Sequence, residues 1–280
     1  MFDQKTQPAG GKCRMTVYAL VIFPAVALGV WAMVMDGVSP VLWGQQAAAF
    51  AVFAALGLLR GRGKGIPASV CAAAFLFVMA ASFFFPGAGG ARRWLDLGVF
   101  NVNAAMLVLP ALIALIDDME CPYPALLGAA VILALQPDAS QLTALAAAAI
   151  PLVWGGRKNP VLPAVCLLAL AACMAWGFGV PVDLEPAAYC EGVLGMMKAR
   201  SFLLMVLGAA ALALIPAYFL YGGFVNKQPR MLRLAAYYAV MMLFGVSGEY
   251  QVPFMGFGLS PIAGYFLAYL FMTQDETARG

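Results

Sequence analysis

The residues equipped for chemistry in this chain gather in four short stretches. GGARRWLDLG, residues 89–98, sets Arg92, Arg93, Trp94 and Asp96 almost side by side. LQPDASQ, 135–141, carries Gln136, Asp138, Ser140 and Gln141. GVPVDLEPAAYCE, 179–191, holds Asp183, Glu185 and Glu191, and QVPFMGFGLSP, 251–261, holds Gly256, Gly258 and Ser260. Arginine suits a phosphate because its planar fork donates two parallel hydrogen bonds. A carboxylate beside it, Glu191 or Asp183, has the chemistry of a general base for a sugar hydroxyl. A Gly-Pro break at the start of a helix can aim an N-terminus at an anion. Each stretch has a plainer reading too. Arg92 or Arg93 can pair with Asp96 or Asp138 and tie loops together, and Trp94 can anchor an interface. Asp138 after Pro137 is a good N-cap, with Gln136 as its neighbour, and VPFMGFG can be a Pro-Gly turn.

Much chemistry is excluded. The chain has no histidine, which removes Ser-His-Asp and Cys-His catalysis and most histidine-bearing metal sites. Its six cysteines form no CxxC pair, so a zinc or disulfide framework is not expected. A net charge of +3 without a basic helix or basic-aromatic patch carries no nucleic-acid signature.

The elements that must position these residues are apolar. Of 280 residues, 64% are hydrophobic and 10% charged, and the mean hydropathy is +0.90. Such a chain cannot cover itself with polar surface, which implies an integral membrane protein. Ten apolar runs are long enough for helices, at about 15–36, 42–60, 66–86, 102–117, 122–136, 140–156, 160–179, 200–222, 230–249 and 254–273. The fold expected is an all-α bundle of about ten transmembrane helices, the fifth and sixth being short enough for a re-entrant pair. A polar, basic N-terminus leads straight into a full span, which reads as an uncleaved first helix and no signal peptide.

Orientation follows from lysine and arginine. With the N-terminus inside, inner segments hold Lys5, Lys12, Arg14, Arg60, Arg62, Lys64, Arg157, Lys158, Lys227, Arg230, Arg233 and Arg279. The outer loops keep only Arg92, Arg93, Lys198 and Arg200 of the 16. Both termini are therefore expected in the cytoplasm: a tail at 1–14, one bundle at 15–273 and a tail at 274–280. Asp117, Asp118 and Glu120 are the exception on the inner side, read as a solvated helix end. The four chemical stretches all fall on the outer side.

Three of them, in this order, resemble the SEDS family of bacterial wall proteins, the FtsW, RodA and SpoVE group. That family carries a G-x-x-RW-I/L-x-L-G loop after its third span, matched by GGARRWLDLG. It carries LQPD-L-G-T-A at the fifth-to-sixth junction, matched by LQPDASQLTA, and P-L-P-x-x-SYGGSS opening the last span, matched more loosely by QVPFMGFGLSP. The resemblance implies a ten-helix protein of the bacterial inner membrane acting in cell-wall synthesis, division or shape. It implies a lipid II-like, polyprenyl-diphosphate-linked sugar on the outer face, which better-known members polymerise beside a single-span penicillin-binding transpeptidase. Arg92, Arg93, Trp94, Asp96, Gln136, Asp138, Gly256, Gly258 and Ser260 would hold that substrate. No cofactor is implied beyond a divalent cation bridging the diphosphate.

The chain also departs from the family pattern. Where the family reads QPSE-x-x-K on span four, this chain reads NVNAAMLVL, with Met106 and Leu109 replacing a charged pair. The family's long outer loop with its TDF aspartate is shortened to about twenty residues, GVPVDLEPAAYCEGVLGMMKAR, aligning Tyr189 or, after a two-residue shift, Glu191 with that aspartate. Three functions stay open: a glycan polymerase, a catalytically degenerate binding or scaffold member, and a flippase or transporter of the lipid-linked precursor.

Overall fold

The computed structural model describes residues 9–59, 66–98, 100–154 and 161–272. Each of the ten apolar runs forms a helix: α1 (Ala9–Met35), α2 (Pro40–Leu59), α3 (Ala68–Ala81), α4 (Ala104–Leu115), α5 (Tyr123–Leu135), α6 (Ala139–Trp154), α7 (Val161–Gly179), α9 (Phe202–Val225), α10 (Pro229–Ser247) and α11 (Leu259–Met272). An eleventh, α8 (Val193–Arg200), precedes α9, and a hairpin of β1 (Trp94–Asp96) and β2 (Asn101–Asn103) precedes α4. Neither was anticipated from hydropathy. α1 starts at Ala9, inside the segment expected to be a tail. Lys5, Arg60, Arg62, Lys64, Arg157, Lys158, Arg279 and the tail 274–280 lie outside the described residues.

The molecule is a helical bundle in which α1, α2, α7 and α9 are long and apolar enough to cross a membrane. α9, with 24 residues, is about 36 Å long. Its outward side chains, Leu203, Leu207, Leu214 and Phe224, are exposed, as are Leu168 and Trp176 of α7. Water would penalise that surface heavily, whereas hydrocarbon would not.

At the centre stands α4, with eleven of its residues buried. Its Asn103 cap accepts the Met106 N–H at 3.0 Å, satisfying one of the free donors of the first turn. Pro110 lacks the N–H that would bond the Met106 carbonyl. That carbonyl faces Gly264 of α11, where any Cβ would collide with it. Absence of a side chain therefore sets how closely the two central helices approach. α1 and α11 are locked by a reciprocal pair: Tyr18 Oη donates to Tyr265 O at 3.0 Å, and Tyr265 Oη donates to Tyr18 O at 2.9 Å.

The connections between helices gather at two ends of the bundle. At one end Arg93 reaches Pro137, Asp183 N donates to Gly89 O at 2.9 Å and Val252 N donates to Cys190 O at 3.2 Å. Arg200, at the end of α8, pairs there with Asp36, 2.6 Å away at the end of α1. The opposite end brings Arg230 to 3.1 Å from Asp118 and pairs Arg233 with Asp117. These two aspartates follow α4 as a short 3-10 turn; they are exposed, as expected of a solvated helix end, and they are also ion-paired. The pairing joins two connections that the charge count also put on one side.

Candidate functional site

The first end contains a buried polar cluster, and its origin is local. Antiparallel pairing of Trp94 with Asn103 and Asp96 with Asn101 fixes the hairpin register. Gly98 takes φ +79°, and its N–H donates to Asp96 Oδ1 at 2.9 Å, closing the turn. Asp96 is therefore exposed and occupied by its own turn. Just ahead of β1 the two arginines differ. Arg92 is exposed, whereas Arg93 is buried with 9% of its surface accessible. Trp94 is half-buried.

Arg93 crosses to the α5–α6 junction. Its Nη2 donates to the Pro137 carbonyl, and its Nε lies 3.8 Å from Asp138 Oδ2. Asp138, only 1% exposed, caps α6. Its Oδ1 accepts from Ser140 Oγ at 2.8 Å and from Gln141 N at 3.3 Å. Gln141 Oε1 in turn accepts the Tyr237 hydroxyl of α10 at 2.7 Å. Beside them, Gln136 Nε2 donates to Met79 O at 2.7 Å and Ser82 Oγ at 2.8 Å. The Ser82 hydroxyl lies 2.7 Å from the Arg92 carbonyl. Tyr250, in the α10–α11 connection, senses the same charges. Burial pushes its phenol up, Arg93 opposes the shift and Asp138 adds to it.

The last-helix segment joins through Ser260, whose Oγ accepts the Asn103 N–H at 2.8 Å. Ala104 N donates to Arg93 O at 3.0 Å, continuing the same contact. The stretches around Arg93, Asp138 and Ser260 are distant in sequence and meet at the head of α4. Gly256 and Gly258 serve close packing: a Cβ at Gly256 would strike the Cys190 carbonyl, and one at Gly258 would strike the Gln251 amide.

The carboxylates of the 179–191 stretch lie apart from the cluster in role. Glu191 Oε2 accepts the Ala187 N–H at 2.8 Å, closing its own turn. Asp183 is exposed, and its backbone is held to Gly89. Gly89 has φ +54° and no room for a Cβ against Asp183 O, so this loop seats directly on the GGARRW turn. Burial, and then the neighbouring Glu191, hold the Cys190 thiol well above its usual range. Among the described residues no three acidic or cysteine side chains gather around a common point.

The space beside α4 is apolar. Met106 is 5% exposed and Leu109 fully buried. A crevice between α4, α10 and α11, lined by Met106, Pro110, Tyr238 and Pro261 among others, has room for about one water. Compared with known proteins, the chain matches no protein-family model and no curated protein.

Sequence reasoning missed Ser82, Asn103, Tyr237 and Tyr250 as members of the cluster. Asn103 had a signal, since an Asn directly before an apolar helical run is a typical cap. Ser82, Tyr237 and Tyr250 had none, because only the packing of α3, α6 and α10 brings them to Arg93 and Asp138.

Proposed function

We propose that this chain is a SEDS-like integral membrane protein of bacterial cell-wall synthesis, division or shape, with ten spans in the inner membrane and both termini cytoplasmic. It binds a polyprenyl-diphosphate-linked sugar at its outer end without polymerising it. The observation that carries the reading is the meeting of Arg93, Asp138 and Ser260, one from each of the three family-like stretches, at the head of α4. Three separate resemblances thereby become one physical unit. Arg92, exposed beside Trp94, is the cation in that unit free to meet a diphosphate from outside.

A non-polymerising role is favoured by what the candidate catalytic groups already do. Arg93 is committed to Pro137 and Asp138, and Asp138 caps α6. Glu191 closes its own turn. Met106 and Leu109 fill α4 where the family's charged pair would stand. The alternative, a working polymerase, rests on Asp183, which is exposed and whose backbone is held to Gly89 of the GGARRW turn. A single-span penicillin-binding transpeptidase and membrane lipids are the partners that fit either reading.

Purified protein is tested with lipid II for binding and for glycan polymer, with and without a transpeptidase. Expected are binding that weakens about tenfold in Arg92→Ala, the loss of one charge-assisted contact, and no polymer. Polymer that disappears in Asp183→Asn establishes the alternative, and failure to bind lipid II at all removes both.

A further inference from the structure

Residues 252–258 run between α10 and α11 without forming a helix, yet Val252, Phe254 and Met255 are fully buried. Buried irregular backbone must have its polar groups satisfied. Here the donors come from elsewhere in the bundle. Gln46 Nε2, on α2, donates to Phe254 O at 2.7 Å and to Met255 O at 3.3 Å, across more than two hundred residues of sequence. The opposite edge is held by the 189–190 turn, where Phe257 N donates to Tyr189 O at 2.8 Å and Cys190 Sγ lies 3.4 Å from Phe257 O. Gly29 of α1 leaves the space that the Met255 carbonyl occupies.

The segment is strained where it is held. Phe254 takes φ +66°, a left-handed conformation that a bulky residue adopts only when its surroundings impose it. Gln46 sits directly on that residue's carbonyl. A buried amide is costly unless it is used, and α2 is the least buried of the four long apolar helices, with 6% of its span inside the bundle.

We infer that residues 252–258 form a strap with a closed and a released state, and that Gln46 is the catch that holds it closed. In the closed state the Gly256 N–H is bonded to Val252 O at 2.8 Å and the Phe257 N–H to Tyr189 O, so neither is offered to an anion. Release frees the Phe257 N–H from Tyr189 and unpins Pro253 from the crevice beside α4. Without Gln46, two buried carbonyls lose their donor while the Phe254 strain remains, and the balance moves toward release by on the order of tenfold. The coupling of release to a ligand rests on the proposed function above; the strap and its catch do not.

Cys190 is the natural reporter, because its thiol is half-buried against Phe257. The full-length protein is labelled with a maleimide, and modification at Cys190 is resolved by peptide mass spectrometry in wild type, Gln46→Leu and Gln46→Glu. Buried Cys71 and Cys166 report global unfolding and must stay unlabelled. Cys190 labelling is expected to rise about tenfold in Gln46→Leu. Gln46→Glu, whose buried carboxyl is held protonated at neutral pH and still donates, is expected to label as wild type does there and to approach Gln46→Leu as rising pH ionises it, each rate taken relative to wild type at the same pH. If Gln46→Leu does not fold, that neutral-alkaline contrast within Gln46→Glu decides. Unchanged Cys190 labelling in folded Gln46→Leu overturns the strap. Lipid II added to wild type is expected to raise labelling. A rise in the Gln46 variants with no response to lipid II keeps the strap and removes its link to that ligand.

Discussion

Arg93 and Asp138 face each other under the β-hairpin, Nε to Oδ2 at 3.8 Å, both almost wholly withdrawn from solvent. Each is anchored by other bonds, Arg93 to the Pro137 carbonyl and Asp138 to the first turn of α6. Removing one partner leaves a buried charge without compensation, a loss of about 3 kcal/mol. Asp138→Ala is therefore expected to unfold well before wild type in a detergent melt. The double variant Arg93→Met, Asp138→Asn removes both charges, and it is expected to lie closer to wild type than Asp138→Ala. A double variant as unstable as the sum of the two single changes would show that the two side chains do not interact.

The opposite end of the bundle offers a separable test. Arg233 is 4% exposed and pairs with Asp117, fastening the start of α10 to the end of α4. Arg233→Ala is expected to cost about 2–3 kcal/mol, because Asp117 loses a charge-assisted partner at a partly buried site. Exchanging the charges, Arg233→Asp with Asp117→Arg, restores part of that loss. Thermal unfolding of the three variants measures it, and no recovery in the exchange would mean that Arg233 acts by packing alone.

Helix positions were legible because a run of apolar residues in an oily chain has few other ways to satisfy its backbone. The helix α8 was not, since Val193–Arg200 is short and carries Lys198 and Arg200, and only Val193 and Met197 are buried. The site was legible as a set of stretches but not as a geometry. Nothing in GGARRWLDLG says which arginine turns inward. That is decided by the docking of the loop on the α5–α6 junction, a tertiary fact that buries Arg93 against Pro137 and Asp138 and leaves Arg92 outside. Gln46 was invisible for a similar reason: a glutamine in an apolar run has no meaning until the carbonyls of Phe254 and Met255 are placed against it.

The contact of α4 with α11 depends on Gly264. A methyl there meets the Met106 carbonyl, a backbone atom with no flexible end to yield. Gly264→Ala is expected to destabilise the protein by about 1–3 kcal/mol through overpacking. Gly44→Ala, where nothing lies within 4 Å of the added carbon, serves as its control and is expected to be close to neutral. Equal melting temperatures for the two would contradict close apposition of α4 and α11.

The Cys190 thiol provides a pH-dependent readout that needs no added ligand. Burial raises its pKa first, and the neighbouring Glu191 carboxylate raises it further. A raised pKa means less thiolate at a given pH, and the thiolate is the species that alkylates. Cys190 is accordingly expected to react more slowly near pH 8 than the exposed Cys121. Glu191→Gln removes a negative charge that disfavours the thiolate, so the Cys190 reaction profile is expected to move to lower pH and its rate at pH 8 to rise. A shift to higher pH in Glu191→Gln would reverse the assigned sign and exclude Glu191 as one of the groups that raise it.

The two cysteines also test orientation in the membrane. Cys190 lies at the end that holds Arg93 and Asp138, and exposed Cys121 lies at the end that holds Asp117 and Arg233. If the first end faces outward, as the lysine and arginine distribution predicts, an impermeant maleimide added to intact cells labels Cys190 slowly and leaves Cys121 unmodified. Permeabilised cells then label Cys121 rapidly. Because Cys190 is half-buried, Gln46→Leu is the better background for detecting it from outside. Labelling of Cys121 in intact cells would invert the bundle, and would place Arg92 on the cytoplasmic face, away from any ligand on the outer surface.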